Sequence, residues 1–360
     1  MEQDRSLQEG NHKMMNPGYL TYGLFALTCL ALLTLPFLPA FHEWLRPSDV
    51  AALPISPNYT SQTDYFAKRL RADVAAKTGQ GLSTGYEEFN YVSASVEDMN
   101  WLGADKRLIS SASINSAAPI RSTQPLYVTG DIQSAAGSYF SSLYAAGNIV
   151  LGDQSEVRDW AHAMGTLTLG KRSIALRRIS AGVSIELDQG AWFERLDAPL
   201  LQFGPVGPYK PELNSVTQTE GSFSDLPNAI RQTPMLYLIR GDCALPGDTI
   251  YRGSLIVTGF LTIGARTTVT GDIKAREGAS IGPWSSVQGA ITCEKRIYVF
   301  KGARAMGPVV SETDVLVGAN AVIGLPDSPT TITALNIILE SGVVVHGTVW
   351  AREIGMVKAA

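Results

Sequence analysis

The chain has 360 residues, 45% hydrophobic and only 17% charged, against roughly 25% charged in an average globular protein. Its 29 basic and 33 acidic residues leave a net charge of −4 without a basic block, which excludes the electrostatic footprint of a nucleic-acid binder. Thirty-four glycines with no period of three exclude collagen and favour a turn-rich β protein, while three scattered cysteines make neither a disulfide framework nor a metal cluster.

Residues 1–17 form an N-terminal tail. The stretch Gly18–Ala40, GYLTYGLFALTCLALLTLPFLPA, is uncharged. At 1.5 Å per residue it predicts a transmembrane helix able to cross about 30 Å of hydrocarbon, with Tyr19, Tyr22 and Trp44 at the interfaces and Pro36 and Pro39 kinking its end. Glu2, Asp4 and Glu9 ahead of it argue against a cleaved signal peptide. Arg5 and Lys13 before it and Arg46 after it leave the orientation open. Residues 41–119 read as a linker holding a short helix, 64–77, and an irregular region. Asp64 caps that helix, and Phe66, Leu70 and Val74 recur at i, i+4 and i+8 as a packing face.

The most informative pattern is an 18-residue period. Ile263, Ile281, Val299 and Val317 fall 18 apart, followed by Gly264, Gly282 and Gly318, with Phe300 in the missing glycine's place. Gly271, Gly289 and Gly307 recur eight residues after each step. Upstream, Leu151-Gly152, Leu169-Gly170 and Leu187 repeat the same grammar. Within each period, every sixth position is aliphatic or small, as in Val269, Ala275, Val287, Cys293 and Ala305. Short strands that turn alternate side chains inward explain this spacing if three faces per coil each feed a column. The fold class is therefore all-β: a β-solenoid of about 18 residues per coil, preceded by the transmembrane helix and a short α-helical region. The glycines are expected to permit tight or left-handed corners. Solenoid coils bury their apolar faces only against neighbours, so like stacks on like.

Two modules follow, 120–197 and 235–352, separated by a Pro/Gly/Ser-rich excursion, 198–234, and ending in a tail, 353–360. Their leading segments align: Ile120-Arg121, Leu126-Tyr127 and Gly130-Asp131 match Ile230-Arg231, Leu236-Tyr237 and Gly241-Asp242. Whether the modules form one stack or two is left open by the period. No terminal cap is visible after Val349, which predicts an open last rung free to pair with another molecule.

Chemistry is sparse. Of four histidines, His12 and His42 flank the apolar run, and His162 and His346 lie in the solenoid. Two distant histidines cannot supply three metal ligands, so no metal or cofactor is expected. Asp131, Asp242 and Asp272 each follow a glycine and read as turn residues bonding their own backbone. Trp160, Trp192, Trp284 and Trp350 read as corner packing, with a sugar-binding stripe as the competing interpretation.

The unit IGARTTVTGDIKAREGASIGPWSSVQGAI and its following coil resemble the bactofilin family of polymer-forming bacterial cytoskeletal proteins. The resemblance spans roughly 250–350 well and 126–195 more weakly. It implies a right-handed β-helix assembling into nucleotide-free filaments at the bacterial inner membrane, a single-pass, non-catalytic scaffold with a cytoplasmic body. Its expected partners are membrane lipid through residues 18–40, further copies of itself, and envelope or polysaccharide-assembly proteins. The alternative is a membrane-tethered left-handed hexapeptide-repeat acyl- or sugar-modifying transferase. In that interpretation His162 or His346 serves as the catalytic base.

Overall fold

The computed structural model describes residues 17–45, 62–78, 89–92, 99–205 and 218–358, in two units, Met1–Pro57 and Asn58–Ala360. In the first unit the apolar run is not one helix. Helix α1 (Pro17–Thr34) has 18 residues, a 3₁₀ turn covers Leu35–Phe37, and α2 (Leu38–Leu45) follows. Pro36 explains the break: it has no amide proton to donate, and its ring clashes with the preceding turn. Eighteen residues rise about 27 Å, short of a hydrocarbon core of about 30 Å. Among the described residues no helix is long and apolar enough to cross a membrane, which corrects the expectation of a transmembrane, single-pass inner-membrane chain. His12 lies outside the described residues, and His42 is in the last turn of α2.

The second unit is a β-solenoid of about 14 turns. Leu245, Ile263, Ile281, Val299, Val317 and Leu339 pair in one vertical file, each at most 2% exposed. A parallel file runs through Val269, Val287, Ala305, Ile323 and Val345, and Leu151, Leu169, Leu187 and Phe203 form its counterpart in the first module. Outside, charges also pair one coil apart, as Arg266 with Asp248 at 2.5 Å and Arg296 with Asp314 at 2.5 Å.

The corners work differently from the expectation. Gly152, Gly170, Gly264, Gly282 and Gly318 are not among the positive-φ residues; those lie two positions later, at Gln154, Arg172, Arg266, Trp284 and Asn320. The glycines are required by closeness between rungs. A Cβ on Gly282 would sit 2.5 Å from the Ile263 carbonyl oxygen, and one on Gly289 would sit 2.5 Å from both Asp272 Oδ1 and the Gly271 backbone. Gly271, Gly289 and Gly307 stack on one another for the same reason.

The two modules form one continuous stack, joined tail to tail. The last rung of the first module, Trp192–Phe203, pairs antiparallel with the last rung of the second, Val343–Val357, with Leu196 opposite Val349 and Phe203 opposite Val343. The C-terminal rung is therefore closed by the chain's own first module, which corrects the expected open edge. The chain re-enters at Thr219–Gly221, paired with Thr249–Tyr251 in the first coils of the second module. There Phe223 stacks on Tyr251 at 4.9 Å, and Ala229–Thr233 forms an antiparallel hairpin with Leu236–Ile239.

The leading segments of the modules are not equivalent in space. Ile120 is fully buried while Ile230 is 39% exposed on the hairpin, and Tyr237, not Leu236, is the residue that turns inward as Leu126 does. Helix α3 (Tyr65–Thr78) lies on the outer face of the first module, burying Ala67, Leu70 and Val74 against Phe89, Ile109 and Tyr144.

A candidate active site beside the seam

Five strands build the site: β1 (Tyr139–Ala145), β2 (Glu156–Ala163), β3 (Ile174–Ala181), β4 (Trp192–Phe203) and β5 (Val343–Val357). Their registers stack two outward columns. One runs Tyr144, His162, Ser180, Asp197, Thr348; the other runs Ser142, Trp160, Arg178, Arg195, Trp350. The pairing shifts between Phe140 and Ser142, between Ala175 and Arg178, and between Phe193 and Arg195, and Arg177 has a φ of 59°. Such bulges re-aim side chains, and here they coincide with the arginine column.

His162 Nδ1 lies 2.8 Å from Ser180 Oγ, and its ring stacks on Tyr144 with centroids 5.8 Å apart. Tyr144 in turn stacks on Tyr127 at 4.7 Å. His162 is 9% exposed, and burial lowers its pKa below the ordinary 6.5. Lys68 and Arg71 on α3 reinforce that shift, while Asp64 and Asp197 oppose it. The imidazole is thus uncharged at neutral pH and able to accept a proton. On the next rung, Asp197 Oδ1 accepts from the Thr348 hydroxyl at 2.6 Å, which joins the column across the seam.

Alongside lies a cavity of 450 Å³ walled by Phe66, Trp160, Arg178, Arg195 and Trp350. The Arg195 guanidinium stacks 5.0 Å from the Trp350 ring, and that of Arg178 lies 5.2 Å from Phe66. Burial first, and the neighbouring Arg178 second, hold Arg195 below the usual guanidinium pKa, with Asp197 opposing. Among the described residues no group of three or more His, Cys, Asp and Glu side chains could hold a metal ion.

The other sequence candidates are placed elsewhere. His346 Nδ1 donates to the Pro199 carbonyl at 3.1 Å, next to the inward Val345; neither it nor His162 walls this cavity, but His162 lies two residues from Trp160, which does. The tryptophans divide: Trp160 and Trp350 share a column, Trp192 lies on another face between Ile174 and Met356, and Trp284 packs over Gly302 at a corner. Asp131, Asp242 and Asp272 do not bond their own turns. Each accepts from a backbone amide one coil on, that of Asn148 at 2.6 Å, Phe260 at 2.8 Å and Ala290 at 2.8 Å.

Ser180, Asp197, Arg178 and Arg195 were not among the sequence candidates. The signal existed: stepping one coil from His162 lands on Ser180, and one coil from Trp160 lands on Arg178. Asp197 and Arg195 are 17 residues further because a bulge shortens that coil by one, which hides them from a strict period.

No family model matches the chain, and no solved structure does. Two curated serine acetyltransferases, from two strains of Helicobacter pylori, are each 36% identical over 93 residues, covering 25% of this chain and 54% of the relative. The chain thus spans about half the length of the curated relatives it matches. These matches correct the bactofilin resemblance and, with it, the expectations of a cytoskeletal polymer and of a chain without enzymatic activity: the matched relatives are enzymes. The error has a physical origin. Short aliphatic strands with a glycine where rungs approach closely are what any coil of this size demands, so the motif marks the solenoid and not one family.

Proposed function

We propose that this chain is an acyltransferase of the hexapeptide-repeat kind, with His162 as general base. The observation that carries the reading is an uncharged imidazole, fixed by Ser180 and Tyr144 two residues along the strand from Trp160 in the cavity wall, on a solenoid that is similar over 93 residues to acetyltransferases. In the tautomer whose Nδ1–H donates to Ser180 Oγ, Nε2 is the basic nitrogen. It takes the proton from an acceptor hydroxyl or amine as that atom attacks the acyl carbonyl of an activated donor such as a thioester. The carbon–sulfur bond then breaks, and the imidazolium returns its proton to the leaving thiolate. The carboxylate of Asp197, one rung beyond Ser180, favours the transient imidazolium.

The test is thiol release from an acetyl thioester offered to the full chain with a panel of hydroxyl and amine acceptors. His162→Ala is expected to slow acceptor-dependent release by about 10²–10⁴-fold, the usual share of general-base catalysis, while His346→Ala stays within about twofold. A wild-type chain releasing no thiol above the acceptor-free background, or a His162→Ala chain turning over normally, would overturn the reading.

A further inference from the structure

Away from the histidine column, an apolar stripe crosses the seam. The registers stack Ile174, Trp192, Met356, Ile338, Leu316 and Tyr298 on successive rungs of one outer face. At about 4.8 Å per rung the stripe is about 24 Å long, and Glu156 stands one rung beyond Ile174. Packing of coil on coil needs apolar residues only at the inward positions, and monomers seldom leave so long an apolar column in water. The two halves of the stripe differ in relief. On the first-module side Ile174 and Trp192 stand out, 37% and 46% exposed. On the second-module side Tyr298, Leu316, Ile338 and Met356 are half-buried and line a hollow of 430 Å³. It opens where the register places Gly318, which has no side chain, between Phe300 and Glu340. Among the described residues Lys301 in the wall of this hollow forms no ion pair, and neither do Glu156 and Arg172 at the far end of the stripe.

We infer that this face is the interface of a two-fold symmetric dimer, with Met356 on the axis and the stripes of the two copies antiparallel. Such an axis sets each rung against the rung an equal number of steps to its other side. Trp192 of one copy then falls on Ile338 of the second, and Ile174 on Leu316, so the raised half of each stripe enters the hollow half of the other. Glu156 reaches the end of the second copy's stripe where Tyr298 and Lys301 lie, and the contact occurs twice. Arg172, at the corner two residues before Ile174, arrives over Gly318, where the Phe300 ring and the Glu340 carboxylate can receive a guanidinium. The charges fix the register. An axis half a rung away, between Met356 and Ile338, sets Glu156 against Ser280 and leaves both Lys301 side chains uncompensated. Ridge and hollow, and anion and cation, belong to one chain, so a second copy satisfies all of them at once.

The experiment joins site-specific crosslinking to sedimentation equilibrium of the full chain in a Cys29→Ser background. Met356→Cys chains should link to one another through a disulfide on mild oxidation. Ile174→Cys chains alone should not, yet should link to Leu316→Cys chains when the two are mixed. Sedimentation should show a reversible monomer to dimer equilibrium at micromolar concentration, weakened about tenfold or more by Trp192→Ser. Glu156→Lys and Lys301→Glu should each weaken it about two- to tenfold, and the double variant should restore it. A restored dimer cannot come from a misfolded chain, so the charge reversal keeps its meaning even if Trp192→Ser fails to fold. A chain that stays monomeric, or Met356→Cys chains that do not link, would overturn the dimer. A dimer indifferent to both charge reversals would overturn this face as its interface. His162→Ala should leave association unchanged, which separates this result from the acyltransferase reading.

Discussion

Between Leu236 and Ile323 the second module advances in 18-residue coils whose strands of two to four residues keep register without a shift. The first module starts from the same grammar and departs from it. Its strands on the face under α3 lengthen to seven, eight and twelve residues, and three of their pairings shift register. The regular module spends its inward positions on Ile, Val and Ala and its corners on closely stacked glycines. The irregular one collects Trp160, His162, Arg178, Ser180, Arg195 and Asp197 on one outer face. A strictly periodic ladder presents the same side-chain direction on every rung. A bulge is what allows neighbouring rungs to aim different chemistry at one point.

The largest expected effect lies at the seam. Leu196 is fully buried opposite Val349, so Leu196→Asp places a carboxylate in the core and parts the two modules. A loss of about 4 kcal/mol or more is expected in urea unfolding, together with concentration-dependent association in light scattering as two rung edges open. An unchanged midpoint and a monomeric profile would mean that the modules do not depend on each other.

A smaller contrast separates crowding from backbone strain. Gly282→Ala in the regular module drives a Cβ to 2.5 Å from the Ile263 carbonyl and should cost about 1–3 kcal/mol. Gly137→Ala in the first module meets nothing within 4 Å but keeps a φ of 73°, so strain alone should cost about 1 kcal/mol. Equal losses would show that rung spacing is not the constraint on the regular corners.

The pH dependence of His162 is subtler. Its folded-state pKa is depressed, so the unfolded chain takes up a proton first as the solution is acidified. The stability from keeping this imidazole neutral is fully present above about pH 6.5 and is lost as pH falls below that value. Wild type should therefore lose more stability on acidification than His162→Asn, and acceptor-dependent turnover should hold its plateau down to below pH 6.5. A parallel pH profile for the two proteins would break the assignment of a buried neutral histidine.

The smallest effect concerns the thiols of the regular module. Burial pushes Cys243 up to about 11 and Cys293 up to about 12, so neither presents a thiolate at pH 8. In a Cys29→Ser background, iodoacetamide should modify both only after denaturation.

Much of the architecture was legible from residue spacing. Ile263, Ile281 and Val299 do share one file, and although Ile323 pairs with Val345, 22 positions on instead of 18, Leu325 and Ser328 form an isolated bridge within the extra length. The site was legible only in part. His162 stood out by rarity, but its partners Ser180 and Asp197 are ordinary residue types whose meaning comes from lying on successive rungs. The apolar run also misled, because its composition is uniform while Pro36 divides its backbone. The function implied by family resemblance failed for a related reason: the quoted unit consists of residues that coil geometry requires.

What recurrence along the chain could decide was every contact made at a constant separation. Each interior side chain meets its copy one coil away, so pattern and packing carry the same information. The meeting of Leu196 with Val349, 153 positions apart and antiparallel, belongs to no period. It arises because two ladders that each end in unpaired backbone groups satisfy them most completely against one another. That closure joined the modules and brought Trp350 and Thr348 alongside the columns of Trp160 and His162 on the first module's outer face.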